Sequence, residues 1–359
     1  MKSSYLTAGI TLRQLFKILK RNSFSWQPRY LFRLFFLMQG ALWSSVFAWI
    51  ENLTIKRKLE RTDPLPDPIF IIGHWRTGST FLHKLMSLDP HLYTPTLYDV
   101  AIPDSCLTSY SYYSPFMSVM VSKRRPMDNV RLGINEPQED EYALYRLTSH
   151  SPLEKLIFPE NKSYFLLNHT VYLPPASEVE NWNQNIRHFY HKLFFKSGKT
   201  IVSKNPFNSM RIKELHQLFP KARFIHITRH PFDVVPSTRH MFGIVQYQNA
   251  LNENEAYPEL KEVTIVLNRF LETIRKDSKT LPPELYTEVK FEDFEKDTIG
   301  ALKTLYHQAG LSFSTEFHQN IQLYLSAVKG YKKNRFNLSD EEKSMIQEIM
   351  RLQMEISGY

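Results

Sequence analysis

The residues of this chain best suited to chemistry lie between Ile69 and Leu88, in the run IFIIGHWRTGSTFLHKLMSL. An apolar, β-rich run ends at Gly73, the loop His74-Trp75-Arg76-Thr77-Gly78 follows, and Ser79-Thr80 opens an amphipathic helix. Strand, glycine-bounded loop and helix make the geometry that aims backbone N–H groups and a helix N-terminus at an anion. Gly73, Gly78, Ser79 and Thr80 nearly reproduce the Walker phosphate loop. That loop needs Lys after its second glycine, and this chain has Ser79 there. A cation sits inside the loop instead, as Arg76. The expected ligand is a phosphate-like group, and a nucleotide triphosphatase is a poor match.

Two more cations stand where strands should end. Thr200–Ser203 reads as a strand running into Lys204-Asn205-Pro206, and Arg223–Thr228 as one running into Arg229. Pro231 then starts a helix carrying Asp233, Ser237 and Arg239. Parallel sheets bind ligands beyond the C-terminal ends of their strands. One basic residue leaving a strand is ordinary, but Arg76, Lys204 and Arg229 on one edge imply a ligand with several anionic groups.

The elements that position these residues follow from patterning. Helices are expected over 176–196, Met210–Phe219, Glu259–Lys279, Phe294–Ala309, Thr315–Ser326 and Asp340–Ile356, with a strand over Tyr286–Phe291. The acidic run Glu136-Pro137-Gln138-Glu139-Asp140-Glu141 is expected to open a helix through Leu144, since carboxylates suit a helix start. Short apolar strands alternating with helices predict an α/β fold with a central, mainly parallel sheet covered on both faces, a P-loop-like three-layer architecture. Asp63-Pro64-Leu65-Pro66-Asp67-Pro68 is a stiff break, dividing an N-terminal helical region, 1–62, from a domain over 63–359.

The chain has 359 residues, a formal net charge of +9 and one cysteine, Cys106, so no intramolecular disulfide is possible. That favours a reducing compartment. A basic protein suits nucleic acid, an anionic membrane or an acidic substrate. The sequence has no zinc spacing, no RNA-binding aromatic signature and no long basic tract, so nucleic acid is not an expected partner. Residues 11–33 interleave Arg13, Lys17, Lys20, Arg21, Arg29 and Arg33 with apolar positions, and Leu34–Ile50 is uncharged and rich in Phe and Trp. The uncharged stretch is at the lower limit for a spanning helix. Basic and apolar residues interleaved with aromatics suit a helix lying in the bilayer interface, so residues 11–50 are expected to dock on a membrane, with packing on the domain and a true span as alternatives. Residues 91–130 show little periodicity. Tyr93, Tyr98, Tyr110, Tyr112, Tyr113, Phe116, Met117 and Met120 either line an apolar pocket or form a surface excursion packed on itself.

Taken together, GHWRTGSTFLHKL, VSKNPFN and LFPKARFIHITRHPFDVVPS, in that order, resemble the sulfotransferases that use 3′-phosphoadenosine 5′-phosphosulfate (PAPS). The likeness is to the bacterial-type branch with a GHWRSGTT-like loop, and covers roughly residues 64–340. It implies transfer of a sulfuryl group to an acceptor hydroxyl, with PAPS as co-substrate and no metal. It places Arg76 at the 5′-phosphosulfate and leaving oxygen, with Thr77, Gly78, Ser79 and Thr80 supplying donors. Arg229 and Ser237 would hold the 3′-phosphate. Arg can take a phosphate bidentately, and Ser adds a hydroxyl. Lys204 falls where many members carry a lysine, and a lysine charge suits the sulfuryl oxygens better than base work. Glu139 is then the candidate base, with Glu136, Glu141, His83 and His150 behind it. Lys332 and Lys333, in the basic loop 329–335, are candidate phosphate contacts, although the family's Arg-Lys-Gly form is not reproduced. Trp75 stacks on a base or acceptor, or packs; His226 reads as core.

The aromatic, Met-rich stretch and the amphipathic N-terminus point to a hydrophobic alcohol as acceptor, lipid or sterol-like, with carbohydrate as the alternative. A P-loop kinase would need the absent loop Lys and a Mg²⁺-binding Asp. The expected location is cytoplasmic, peripheral at the inner face of the membrane. The sequence does not fix the oligomeric state.

Overall fold

The computed structural model describes residues 8–22, 28–121, 132–159, 164–168, 172–251, 257–329, 334 and 336–359. In chain order the elements are α1 (Leu12–Arg21), α2 (Pro28–Leu59), β1 (Ile69–Ile72), α3 (Ser79–Met86), β2 (Leu92–Tyr93), α4 (Leu97–Ala101) and α5 (Tyr110–Met120). Next come α6 (Glu141–Thr148), α7 (Glu154–Ile157), α8 (Val179–Ser197), β3 (Thr200–Lys204), α9 (Ile212–Leu218), β4 (Arg223–Thr228) and α10 (Pro231–Asn249). The remainder is α11 (Leu260–Ser278), β5 (Tyr286–Lys290), α12 (Phe291–Lys296), α13 (Thr298–Gln308), α14 (Thr315–Ala327) and α15 (Asp340–Ser357).

The chain forms two compact units. The first comprises Met1–Leu65, Pro95–Gly198 and Met241–Pro258; the second comprises Pro66–Thr94, Lys199–His240 and Glu259–Tyr359. The second unit holds the sheet, five parallel strands in the order β2-β3-β1-β4-β5. This is the α/β, P-loop-like arrangement expected from the sequence. Side chains alternate across the strands. Ile69, Ile71, Ile225 and Ile227 pack with Leu82 and Leu85 of α3 and Leu302 and Leu305 of α13. On the other face Phe70 meets Phe224 and Phe219, with ring centroids at 5.3 and 6.1 Å. Helices on both faces explain why β1 is apolar at every position.

In the first unit α2 is one long helix. Its buried positions include Tyr30, Leu37, Ala41, Ser44 and Glu51, which form a single stripe. Glu51 is paired with Lys192 of α8, both almost fully buried. The other Glu51 oxygen accepts from the backbone N–H groups of Leu107 and Thr108 at 2.9 and 3.0 Å. Lys192 also donates to the Pro103 carbonyl at 2.6 Å. The pair thus ties α2 and α8 to the 103–108 turn.

Several elements differ from the sequence reading. The expected helix 294–309 is two, α12 and α13, because Asp297 leaves helical geometry and caps α13 by accepting from Gly300 N at 2.9 Å. The helix expected from Met210 begins at Ile212, after a 3₁₀ turn over Pro206–Met210. The acidic run does not open a helix until Glu141, because Pro137 bridges to Thr96 and Gln138 N donates to the Pro95 carbonyl at 2.8 Å. Residues 91–121, weakly periodic in sequence, hold a short strand and two helices, and Tyr98, Tyr113 and Met117 pack into one cluster with Ile102 and Cys106.

Candidate active site

The phosphate-type loop is held by contacts to the two segments that carry the other cations. Gly73 ends β1 at φ +136°, and a Cβ there would lie 2.6 Å from the Ile227 carbonyl, so only glycine fits. Gly73 N donates to Ser209 Oγ at 2.8 Å, and Ser209 Oγ donates back to the Gly73 carbonyl at 3.2 Å. The KNPFNS sequence explains that latch. β3 ends at Lys204, Asn205 caps the following turn by accepting from Phe207 N at 3.0 Å, and the turn delivers Ser209 to the loop.

Within the loop, Thr77 Oγ1 donates to the His74 carbonyl at 2.8 Å, closing the turn. Arg76 takes a left-handed backbone, φ +68°, uncommon for a residue with a side chain. Gly78, at φ +94°, precedes α3, and a Cβ there would come within 2.1 Å of the Phe291 ring. Ser79 is buried and opens α3, where the Gly78 carbonyl accepts from Phe81 N and Leu82 N at 2.9 and 3.1 Å; helix geometry gives the Ser79 and Thr80 N–H groups no carbonyl of the helix itself. Thr80, half-buried, sits in the same turn.

Arg76 Nε donates to Ser237 Oγ of α10 at 2.8 Å. Arg229, just beyond β4, points Nη1 at the Arg76 carbonyl, at 3.4 Å, and Nη2 at Asp233, at 3.1 Å. Its Cζ lies 4.8 Å from the centre of the Phe291 ring. Arg229 Nε is buried and makes no hydrogen bond among the described residues. Arg76, Arg229 and Ser237 therefore meet at the C-terminal end of the sheet, and Ser237 reaches Arg76 rather than standing with Arg229 alone. Lys204 is buried at the end of β3, in register with Ile71 of β1.

Two histidines, one in the loop and one on α3, are fully buried. Burial holds His83 well down, to about 3, and the Lys204 charge adds to it. Burial likewise takes His74 to about 4, against a weaker opposing bond to the Trp75 carbonyl. Both stay neutral at physiological pH. Trp75 packs, 8% exposed, against Phe207 and Phe270 at 4.8 and 5.5 Å between centroids. His226 is buried as expected, with Nδ1 2.9 Å from both Glu288 Oε2 and the Tyr286 hydroxyl.

Glu139 lies in the first unit, half-buried just ahead of α6. Glu136 precedes it, and Glu141 is fully buried, accepting from Ser151 Oγ at 2.6 Å. His150, also in the first unit, is pushed down by burial and by the Arg21 charge. Lys332 and Lys333 lie outside the described residues. Among the described residues no cluster of His, Cys, Asp or Glu is placed to hold a metal ion.

Sequence reasoning missed three supports. Ser209 latches Gly73. Phe291 fills the space that glycine leaves at position 78 and lies under Arg229. Glu292 accepts from His230 N at 2.9 Å and from the Tyr359 hydroxyl at 3.0 Å, steadying the turn after β4. Only the first had a sequence signal, the cap-forming Asn205-Pro206.

Comparison with known proteins shows the family. A family model described as the sulfotransferase family matches residues 68–315. The omega-hydroxy-beta-dihydromenaquinone-9 sulfotransferase Stf3 of Mycobacterium bovis is 30% identical over 347 residues, 96% of this chain and 88% of the relative. Stf3 of Mycobacterium tuberculosis matches equally. Among solved structures, sulfotransferase STF9 from Mycobacterium avium superposes with a TM-score of 0.66 at 15% identity, covering 99% of this chain and 92% of that one. STF1 from M. tuberculosis H37Rv gives 0.59 at 15% identity, over 95% and 87%. The chain belongs to the sulfotransferase family and is an enzyme of that family.

Proposed function

We propose that the enzyme moves the sulfuryl group of PAPS to the hydroxyl of a hydrophobic alcohol, releasing adenosine 3′,5′-bisphosphate. The observation that carries this is the meeting of Arg76, Arg229 and Ser237 at the loop between β1 and α3. Two guanidinium groups and a hydroxyl there suit a donor with separated anionic groups. The residues present fit such a nucleotide: Gly73 and Gly78 let the loop take backbone angles and close contacts that a side chain would block, and Arg229 Nε makes no hydrogen bond among the described residues.

In this reading Arg76 and the N–H groups of Gly78, Ser79 and Thr80 take the 5′-phosphosulfate, with Thr77 bracing the turn. Charge develops on the bridging oxygen as the S–O bond breaks, and fixed donors aimed at that oxygen lower the barrier. Lys204 stabilises the sulfuryl oxygens. Arg229 and Ser237 bind the 3′-phosphate, with Lys332 and Lys333 as further contacts. Glu139 takes the proton of the acceptor hydroxyl, since removing a carboxylate from water raises its proton affinity. No metal enters the scheme.

An apolar acceptor is supported by the name of the mycobacterial relative, a sulfotransferase of a hydroxylated menaquinone. It is supported too by the exposed aromatic residues of α2 and α5. Residues 11–50 would meet the cytoplasmic face of a membrane, where such an acceptor resides. Incubation with ³⁵S-labelled PAPS and fractionated cell extract tests the proposal. Label should appear in the lipid fraction, in a product that releases sulfate on mild acid solvolysis. Label confined to polysaccharide would overturn the acceptor class, and no PAPS-dependent label in any fraction would overturn the donor.

A further inference from the structure

We infer that α2 lies in the plane of an anionic bilayer, docked through its exposed aromatic face together with α5, and does not span the membrane. This rests on the reading above that residues 11–50 meet a membrane, and it specifies how.

By length and composition alone, Tyr30–Leu59 would serve as a membrane span. The contacts of α2 argue otherwise. Glu51 is buried against Lys192 of α8, Ser45 Oγ accepts from Leu12 N at 2.8 Å, and Arg33 donates to the Ala250 carbonyl at 2.7 Å. These three polar contacts are spaced along the helix, and all lie within the first unit. Spanning would break each of them and place Glu51 in hydrocarbon without its partner.

The opposite face of α2 is exposed and largely apolar. Phe35, Trp43, Trp49 and Leu53 are exposed by 57, 57, 64 and 64%. This face continues onto α5. Phe47 packs on Tyr112 and Tyr113, with centroids at 5.1 and 5.2 Å, and beyond it Phe116 and Val119 are 64 and 87% exposed. Soluble proteins rarely leave a contiguous apolar surface of this kind open.

Charge selects the occupant. From residue 8 to residue 59 the chain carries nine Lys and Arg and one carboxylate, Glu51, which is buried and paired. Arg13, Lys17 and Lys20 on α1, and Lys56, Arg57 and Lys58 at the end of α2, are exposed. Apolar aromatics flanked by clustered cations at both ends, with Glu60 the first exposed acid beyond them, match a bilayer interface with anionic headgroups. A second copy of the chain would set these cations against one another.

The test is co-sedimentation of the full chain with vesicles of phosphatidylcholine alone or with anionic phosphatidylglycerol. Tryptophan quenching by shallow and deep brominated lipids and a sodium carbonate wash of native membranes accompany it. We expect binding to anionic vesicles at least tenfold stronger than to neutral ones, release by carbonate, and stronger quenching by the shallow probe. W49E and F116E should each weaken vesicle binding about tenfold while leaving turnover of a water-soluble alcohol unchanged. The effect of F116E is decisive, because a spanning α2 would not need α5. Retention through carbonate, or deep quenching, would overturn the in-plane arrangement. Failure of the wild type to bind vesicles, or a dimer in light scattering that W49E dissociates, would overturn the membrane occupant. Wild-type quenching decides the matter even if a variant folds poorly. Turnover of the soluble alcohol reports on sulfotransfer separately, so loss of either reading is distinguishable.

Discussion

The loop after β1 and the helix α2 are both built around glycines, cations and aromatics, to opposite ends. In the loop every one of these is enclosed: Gly73 and Gly78 touch neighbours closely, Trp75 is wedged between rings, and Arg76 is fixed by Ser237. On α2, Gly40 has nothing among the described residues within 4 Å of where a Cβ would sit, and Trp43 and Trp49 are exposed. Enclosure leaves the loop's sequence little freedom, whereas the helix face needs only to be apolar and basic-edged. The loop is therefore a matter of geometry and the exposed face of α2 a matter of composition.

Four experiments break or sharpen this contrast. The largest effect is expected where α2 is itself enclosed: Lys192→Met strands Glu51 without its counter-charge and should cost about 3–5 kcal/mol in denaturant titration. Arg76→Ala should cut kcat by about 10²–10³, the size of losing one fixed donor to developing charge. Ser237→Ala should act mainly on the KM for PAPS, and equal mild effects from the two would contradict their separate roles. Gly78→Ala, forcing a methyl into Phe291 at positive φ, should lose about 2–4 kcal/mol, while Gly40→Ala should gain about 0.5–1 kcal/mol. The remaining test is in pH. Unfolded histidine takes up its proton near the ordinary value of 6.5, whereas folded His74 waits until about 4 and His83 until about 3. Between those limits the unfolded state binds more protons, so stability is full above that ordinary value and falls as pH drops toward the folded values. Each histidine contributes a slope of about 1.4 kcal/mol per pH unit. Thermal melts from pH 7 to 4 should show this decline, and His74→Phe should flatten it.

Much of the second unit was legible because its signals are local. β1 is apolar throughout and β4 at three of its six positions, their ends are marked by Gly73 and Arg229, and Pro231 starts α10. What was not legible depends on distant partners. Arg76 and Ser237 are far apart in sequence, and only the fold shows that they bond. β2 has two residues, too few to carry a pattern. Glu51, inside an apolar helix, gave no sign that Lys192 awaits it. The break between α12 and α13 was readable after all: Asp297 followed by Thr298 is a cap signal, overridden by the apolar periodicity around it.

The sheet order has a consequence for how the chain comes to be folded. β1 is the central strand and is made early, yet its neighbours pair at Val202 and Arg223, after the whole of the 95–198 segment has been synthesised. Until then a wholly apolar strand waits with both edges open, a state prone to sticking to other chains. The loop that ends in Gly78 acquires its shape only when Ser209, Ile227 and Ser237 have left the ribosome. Yield of active protein should thus track the speed of translation and the supply of chaperone more closely than the stability of the finished fold.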